Sequence, residues 1–184
     1  MNVGRVVIVT GPPGAGKTAV ARRLAQQSAW PQAIHLHSDD FYAYIRKGYV
    51  EPWRTESRAQ NTVVLDALAA TASTYAKGGY EVFVDGIIGP WFLDPWLRVA
   101  AEGHLDLRYV LLLPDENTTV ARATSRKPPA LIDPAPVRFM WHQFADLAAF
   151  AQHTVDTSAL SIDEALDNIA GRLAAGEFRL NAPQ

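Results

Sequence analysis

Residues 11–18 have the types and spacing that bind a polyphosphate, because they read G-P-P-G-A-G-K-T. An apolar, β-branched run at residues 6–9 precedes them, and a segment with helical spacing of apolar residues follows. Backbone N–H groups of such a glycine-rich turn converge on anionic oxygens, and the N-terminus of the next helix adds a partial positive charge. The pattern therefore predicts a binding site for a nucleoside triphosphate.

Each residue type in this loop has a chemical use. Gly11, Gly14 and Gly16 allow backbone angles and a close approach that a Cβ would block. The ammonium of Lys17 reaches the β- and γ-phosphates, and the hydroxyl of Thr18 can bind Mg²⁺. We therefore expect ATP and Mg²⁺ as cofactors. The residues expected to contact ATP are Gly11, Pro12, Pro13, Gly14, Ala15, Gly16, Lys17, Thr18 and Ala19.

The composition limits the possible partners. The chain has 184 residues with 48% hydrophobic side chains, which suits one substantial core in a single domain over residues 1–184. No apolar run is long enough to span a bilayer, and residues 1–5 lead into a strand without a secretory pattern, so we expect a cytoplasmic protein with no membrane partner. The chain has no cysteine, which excludes disulfides and thiolate metal sites. Its net charge of −2 favours a small-molecule partner over nucleic acid.

Short strands alternate with helices along the chain. Apolar or alternating runs predict strands at residues 6–9, 33–37, 80–85, 109–113 and 154–156. A long helix is predicted over residues 55–77, with Gly78 and Gly79 as its stop. This alternation implies an α/β fold, with a parallel sheet covered by helices on both faces and a ligand crevice at the carboxyl ends of the strands.

Polar residues mark the starts of the later helices. Asp94 is expected to cap a short helix, Asp115 suits the start of the next one, and another begins at Asp133. Ser161 and Glu164 have the spacing of a capping box.

Two further segments carry a family resemblance. Residues 38–42 read S-D-D-F-Y, and residues 122–126 read R-A-T-S-R. With the phosphate-binding loop, they make nearly the whole chain similar to small P-loop kinases, a group that includes nucleoside and gluconate kinases, chloramphenicol phosphotransferase, zeta toxins and polynucleotide 5′-kinases. In these families an acidic residue after the second strand lies at the acceptor, and an R-x-x-x-R segment lies in a lid. The resemblance implies a single-domain P-loop NTPase of the nucleoside-monophosphate-kinase-like type, with a five-stranded parallel sheet and a lid at about residues 122–136.

The resemblance assigns roles to three aspartates. A carboxylate after the second strand can orient an acceptor hydroxyl and receive its proton as the O–P bond forms, and we predict that Asp39 is this base. Asp40 faces Mg²⁺, caps a helix or points to solvent, and the sequence does not decide which of the two aspartates is the base. Asp85 resembles a Walker B aspartate and is expected to bind Mg²⁺ through water or Thr18; a plain turn at a strand end is the alternative.

Two arginines are expected in the lid. Arg122 and Arg126 lie four residues apart on one predicted helical face. There they would stabilise the charge that phosphoryl transfer spreads over the equatorial oxygens, and a solvated helix face is the alternative. The resemblance also places Asp156 and Thr157 at the adenine, with Arg122 stacked on the base; a capping role for Asp156 or Thr157 is equally open.

Aromatic residues crowd the segments expected to border the acceptor. The rings of Phe41, Tyr42, Trp53 and Trp91 suit stacking on a base, a sugar or another ring, and Arg58 suits an anionic group. Covering the end of the sheet is the alternative for the rings, and surface ion pairs are the alternative for Arg58.

Two histidines share one face of the second predicted strand. His35 and His37 are at i and i+2, a spacing that invites a metal site. The sequence places no third ligand near them, so we expect both side chains to pack against a helix.

These observations predict an ATP- and Mg²⁺-dependent phosphotransferase that moves the γ-phosphate of ATP to a hydroxyl of a nucleoside- or antibiotic-like small molecule. The chain has no N-K-x-D guanine-reading motif and no L-S-G-G-Q signature, which argues against GTPases and transporter ATPases. A nucleoside monophosphate kinase, similar to cytidylate kinase, is an alternative that needs arginine clamps more than a base. A polynucleotide 5′-kinase or zeta-toxin-like kinase is another, although polynucleotide kinases place an arginine where this chain has Tyr42. Outside enzymes, an ATP-sensing module is the alternative, and the sequence predicts no oligomeric state.

Overall fold

One parallel sheet organises the structure. A computed structural model describes residues 4–127 and 131–180. Its five strands lie in the order β2-β3-β1-β4-β5, and every neighbouring pair is parallel. The predicted five-stranded parallel sheet is therefore confirmed. The strands are β1 (Arg5–Thr10), β2 (Ala33–His37), β3 (Glu81–Asp85), β4 (Asp106–Leu112) and β5 (Thr154–Val155).

Helices connect the strands and cover the sheet. They are α1 (Lys17–Gln26), α2 (Ser38–Ala43), α3 (Arg58–Lys77), α4 (Asp94–Gly103), α5 (Glu116–Thr124), α6 (Pro134–Ala145) and α7 (Ile162–Ala174). Short 3₁₀ turns lie at Thr55–Ser57, Pro90–Phe92 and Ala148–His153. Within the described ranges, no helix is both long and apolar enough to cross a bilayer.

The central strand β1 contributes to a core on each face of the sheet. Val6 and Ile8 pack with side chains of α3 and α4, whereas Val7 and Val9 pack with side chains of α1 and α7. Successive side chains of a strand point to opposite faces, so an uninterrupted β-branched run suits a strand that is covered on both sides. The carboxyl end of this buried strand leads directly into the phosphate-binding loop.

Most predicted boundaries agree with the structure, and two differ for physical reasons. Residues 38–43, which lie outside the predicted strands and helices, form the helix α2, because two aspartates in the first turn favour a helix N-terminus. Strand β4 begins at Asp106, where ion pairs with Arg5 (3.2 Å) and Arg108 (2.8 Å) satisfy the polar start.

The predicted helix starts are confirmed except one. Side chains of Asp115 and Asp133 accept hydrogen bonds from backbone N–H groups at the starts of α5 and α6, and Ser161 with Glu164 completes a capping box on α7. Asp94 is instead the first residue of α4, and no side chain caps that helix.

The predicted lid is only partly described. The helix α5 ends at Thr124, so Arg126 lies beyond its last turn rather than on a shared helical face with Arg122. Residues 128–130 of the lid segment lie outside the described residues, and α6 starts at Pro134.

Candidate functional site

The phosphate-binding loop has the backbone geometry that its glycines predict. Gly14 has a φ of 87°, and a Cβ there would lie 2.5 Å from the carbonyl oxygen of Thr119 in α5. Gly16 has a φ of 91° and directly precedes α1 with open space beside it. A side chain would strain both positions, and at Gly14 it would also separate the loop from α5. The loop thus presents the amides at the start of α1 to the adjoining space, as an anion site requires.

The remaining loop residues support this turn. Ala15 is buried and its N–H donates to the carbonyl of Pro12 at 3.2 Å. Pro13 lines the large cavity described below, and Gly11 adopts a left-handed backbone directly after β1. Ala19 lies in the first turn of α1.

The ammonium of Lys17 lies over its own loop. Nζ donates to the carbonyl oxygen of Pro12 at 2.9 Å. Removal from water lowers the pKa of Lys17 to about 8, while the carboxylates of Asp85 and Asp39 act in the opposite direction. Lys17 thus lines the same cavity as two carboxylates, Asp85 at the end of β3 and Asp39 in the first turn of α2.

Asp85 is the centre of a hydrogen-bonded cluster. Its carboxyl is completely buried and accepts from the hydroxyl of Thr18 at 2.7 Å, from His35 Nε2 and from His37 Nδ1 at 3.1 Å. Burial alone would raise the pKa of Asp85, but hydrogen bonds from His35, His37 and Thr18 outweigh it and hold that pKa well below its usual range. Asp85 is thus an ionised carboxylate next to the hydroxyl of Thr18.

The two histidines correct a prediction. We expected His35 and His37 to pack against a helix, but both contact the Asp85 carboxylate. The reason is the register of the sheet, because β2 pairs with β3 so that His37 lies opposite Asp85. Their shared face therefore lies beside the acidic end of β3.

The donor set at Thr18 and Asp85 fits a hard divalent cation. A hydroxyl and a carboxylate are oxygen ligands of the kind that Mg²⁺ takes together with phosphate oxygens and water. Among residues 4–127 and 131–180, no three His, Cys, Asp or Glu side chains are grouped so as to hold a metal ion by themselves. A cation at this place would therefore depend on oxygens of a bound nucleotide as well as on the protein.

Asp39 lies in the first turn of α2 and His37 links it to the cluster. Nε2 of His37 is 3.5 Å from Oδ2 of Asp39, while the other ring nitrogen faces Asp85. Hydrogen bonds to Asp39 and Asp85 raise the pKa of His37 to about 10, and the same contact lowers the pKa of Asp39. Asp39 is exposed and ionised, and Asp40, although also exposed, is outside the set of residues that line the cavity.

A cavity of about 890 Å³ joins these groups. Its lining has a polar set near the phosphate-binding loop and an aromatic set from α2, the two segments at residues 44–54 and 90–92, and α6. The polar set includes Lys17, Thr18, His37, Asp39, Asp85 and Arg126. The aromatic set is Tyr42, Tyr49, Trp53, Trp91, Phe92 and Phe139.

Five of the six side chains predicted for the acceptor line this cavity. They are Asp39, Tyr42, Trp53, Arg58 and Trp91. Phe41 does not, because its ring packs against the core and meets Tyr44 edge-on at 6.1 Å.

Sequence reasoning missed the contribution of α6. Phe139 and Gln143 line the cavity from that helix, while Val137, Met140 and Phe144 are its buried residues. The signal was an exposed aromatic residue off the buried stripe, together with a polar residue four positions later on the same face.

The two predicted lid arginines contact different parts of the structure. Arg126 lines the cavity, and its guanidinium donates to the carbonyl of Leu131 at 3.3 Å. Arg122 instead donates to the carbonyls of Thr157 (3.2 Å) and Ser158 (3.4 Å). The structure thus brings Arg122 to the loop after β5, where the adenine was predicted.

That loop holds one unusual polar atom. Asp156 accepts a hydrogen bond from the N–H of Ser158 at 2.8 Å, which is the local capping role left open above. The hydroxyl of Thr157 is buried and has no hydrogen-bond partner in the described part of the chain. A buried hydroxyl without a partner is costly, so a bound group with a polar edge would find a site here.

Known proteins share this sequence pattern and this fold. A family model described as an AAA domain matches residues 6–137. The structure is similar to the tunicamycin resistance protein of Deinococcus radiodurans, with a TM-score of 0.66 and 18% identity over 98% of this chain and 99% of that chain. It is similar to a gluconokinase from Sinorhizobium meliloti, with a TM-score of 0.64 and 16% identity over 96% of this chain and 95% of that chain. A shikimate kinase from Acinetobacter baumannii in complex with shikimate gives a TM-score of 0.65 and 17% identity over 97% of both chains.

No curated protein matches the sequence significantly. At the identities above, the structural similarity shows the fold, which is that of the P-loop kinases, as the sequence predicted.

Proposed function

Because this chain belongs to the AAA-domain family whose model matches residues 6–137, we propose that it binds ATP with Mg²⁺ and transfers the γ-phosphate to a hydroxyl of a small molecule. One observation carries the proposal: Lys17, Asp39 and Arg126 line the same cavity. A cation for the phosphates, a carboxylate for the acceptor and a second cation are the groups that phosphoryl transfer needs.

The nucleotide site is proposed at the phosphate-binding loop. Backbone amides of the loop and of the first turn of α1 bind the phosphates, and Lys17 exchanges its hydrogen bond with Pro12 for the β- and γ-oxygens. Thr18 and Asp85 hold Mg²⁺, which supplies neutralising charge to those oxygens when it is bound. Arg122 and Thr157 form the adenine side of the site.

Asp39 is proposed as the base. It accepts the proton of the acceptor hydroxyl while the new O–P bond forms and the bond between the γ-phosphorus and the bridging oxygen of ADP breaks. His37 keeps the Asp39 carboxylate ionised and fixes it against the Asp85 cluster. Arg126 stabilises the charge that develops on the transferred group and excludes water from it.

The test is transfer of labelled phosphate from γ-labelled ATP in the presence and absence of Mg²⁺. The acceptor pools are nucleosides, sugars, alcohols, nucleoside monophosphates and 5′-hydroxyl oligonucleotides. Label on an alcohol-type acceptor only with Mg²⁺ is the expected result. Tight Mg²⁺-dependent ATP binding without any labelled product would favour an ATP sensor, and no binding of ATP would end the proposal.

A second candidate, a nucleoside monophosphate kinase, has one observation in its favour. Arg54 and Arg58 both line the cavity and could bind an acceptor phosphate, although Arg54 pairs with Glu51 at 3.0 Å. Label recovered on a nucleoside diphosphate in the same assay would support this candidate over a hydroxyl acceptor.

A further inference from the structure

We propose that the acceptor is an alcohol with a large apolar or aromatic body, rather than a compound that carries many hydroxyl groups. This inference rests on the proposed function, because it concerns the same cavity. It depends on the exposed apolar side chains around Asp39 and on the hydrogen bonds that polar groups in the cavity wall make to one another.

Exposed apolar side chains are concentrated at this cavity. Ten large hydrophobic side chains of the described residues are exposed, and five of them line it. These five are Tyr49 (47%), Trp53 (45%), Ile87 (37%), Trp91 (38%) and Phe139 (61%). They come from three separate parts of the chain, so no single element explains their exposure. A contiguous apolar surface beside charged residues is the usual mark of a ligand site.

One group of polar side chains in the same wall bonds internally, whereas Arg58 and Gln143, which also line the cavity, are not part of it. The hydroxyl of Tyr42 donates to Asn61 Oδ1 at 3.1 Å, and Nδ2 of Asn61 donates to the carbonyl of Pro52 (2.8 Å) and to the hydroxyl of Ser57 (2.9 Å). Ser57 in turn donates to the Pro52 carbonyl at 2.8 Å. These bonds tie α2 and the segment at residues 50–57 to α3.

These internal bonds limit what Tyr42, Ser57 and Asn61 offer an acceptor. An amide whose oxygen and nitrogen are both engaged has little capacity left for a ligand. A compound with many hydroxyls would lose its hydrogen bonds to water without regaining them against Trp53, Trp91 and Phe139, and that exchange is unfavourable. An apolar body gains free energy by covering the same rings.

The size of the cavity agrees with such an acceptor. Its volume of about 890 Å³ lies in the upper part of the range for pockets that bind drug-sized ligands. The terminal phosphate beside Lys17 and Thr18 takes a part of this volume. The rest has room for a ring system attached to the hydroxyl that Asp39 receives.

The test compares matched alcohols as probes. Glycerol and ribose are the polyhydroxylated probes, and 2-phenylethanol and 2-(2-naphthyl)ethanol are the apolar ones. We expect kcat/KM for phosphate transfer to rise from glycerol to the naphthyl alcohol by about 10-fold or more. Equal or better transfer to glycerol or ribose would overturn the inference and leave the proposed phosphotransferase intact.

Two variants remove the apolar wall and one serves as a control. Trp53→Gln and Phe139→Gln change exposed side chains, so both variants should fold. Each substitution should lower the affinity for the naphthyl alcohol by about 10- to 100-fold, with little effect on ATP affinity. Trp30→Gln is the control, because Trp30 stacks on Arg5 at 5.6 Å and is outside the set of residues that line this cavity. Preserved affinity for the naphthyl alcohol in both wall variants would contradict the inference.

Binding separates this inference from the proposed function. Calorimetric titration of the protein with ADP and Mg²⁺ reports binding of the same four alcohols without any transfer of phosphate. Selective binding of the naphthyl alcohol that is lost in Trp53→Gln supports the inference even without transfer. Binding of glycerol or ribose as tight as that of the naphthyl alcohol defeats it.

Discussion

At the scale of single residues, His37 connects two carboxylates that have different proposed tasks. One ring nitrogen faces Asp85 beside Thr18, and the other faces Asp39 in the open cavity. A protonated imidazole between two carboxylates keeps both carboxylates ionised, because its positive charge stabilises each negative charge. The carboxylate proposed to hold a cation and the carboxylate proposed to accept a proton are therefore coupled through one side chain.

The base assignment is tested by a pair of neighbouring substitutions. Asp39→Asn should lower phosphate transfer by about 10²- to 10⁴-fold while ATP affinity changes little, since a carboxamide cannot accept the proton. Asp40→Asn is the matched control, because Asp40 is an exposed carboxylate of the same helix turn outside the cavity lining. Single-turnover transfer and calorimetric ATP binding are the measurements. A fully active Asp39→Asn enzyme would show that the base lies elsewhere.

At the scale of elements, the end of α5 separates the two arginines. Arg122, within the helix, is bonded to the loop after β5, whereas Arg126, past the helix end, lines the cavity. An i,i+4 pair on one helix face would have placed both guanidinium groups together. We therefore propose that Arg122 acts at the nucleotide base and Arg126 at the transferred group.

This division predicts different kinetic effects for the two arginines. Arg126→Ala should lower kcat by about 10²-fold or more with a small change in ATP affinity, because it removes a charge used in the transition state. Arg122→Ala should lower ATP affinity by a larger factor than it lowers kcat. Arg138→Ala is a control on α6, where Arg138 pairs with Glu116 outside the cavity lining. Equal losses of kcat and of ATP affinity in Arg126→Ala would contradict the division.

The sequence predicted the sheet and the loop well because local rules determine them. The run at residues 6–9 and the glycine pattern after it depend on neighbouring residues only, as do the caps at Asp133 and Ser161. The contacts of His35 and His37 with Asp85 depend instead on which strand lies beside β2, and no local pattern contains that information. The same holds for Phe139, which reaches the cavity from a helix far along the chain.

At the scale of the whole molecule, we expect His153 to make stability depend on pH. Its imidazole is buried directly before β5 and bonds to the carbonyl of Tyr109 at 3.1 Å. Burial lowers the pKa of His153 below its ordinary value of 6.5. At pH values below 6.5 the unfolded chain binds a proton at His153 that the folded protein does not bind. The free energy of unfolding that the neutral imidazole contributes above this pH is therefore lost as the pH falls.

The corresponding variant is His153→Gln, which is uncharged at every pH. The free energy of unfolding of the natural chain should fall more steeply than that of the variant as the pH drops below about 6.5. Denaturant unfolding at a series of pH values measures both curves, and His142→Gln, at an exposed position on α6, is the control. Parallel curves for His153→Gln and the natural chain would show that His153 does not cause the loss.

The position of Lys17 predicts that nucleotide binding consumes protons in alkaline solution. Its pKa of about 8 means that the free protein holds a growing share of uncharged amine above that pH, while a triphosphate stabilises the ammonium. Calorimetric titrations of ATP into the protein at about pH 9 should therefore give apparent binding heats that differ between buffers of different ionisation enthalpy. At about pH 6 the binding heats in these buffers should agree. Lys17→Arg should abolish the difference, because a guanidinium stays charged over this range. In the natural chain, raising the pH above about 8 should therefore weaken ATP binding even without an acceptor.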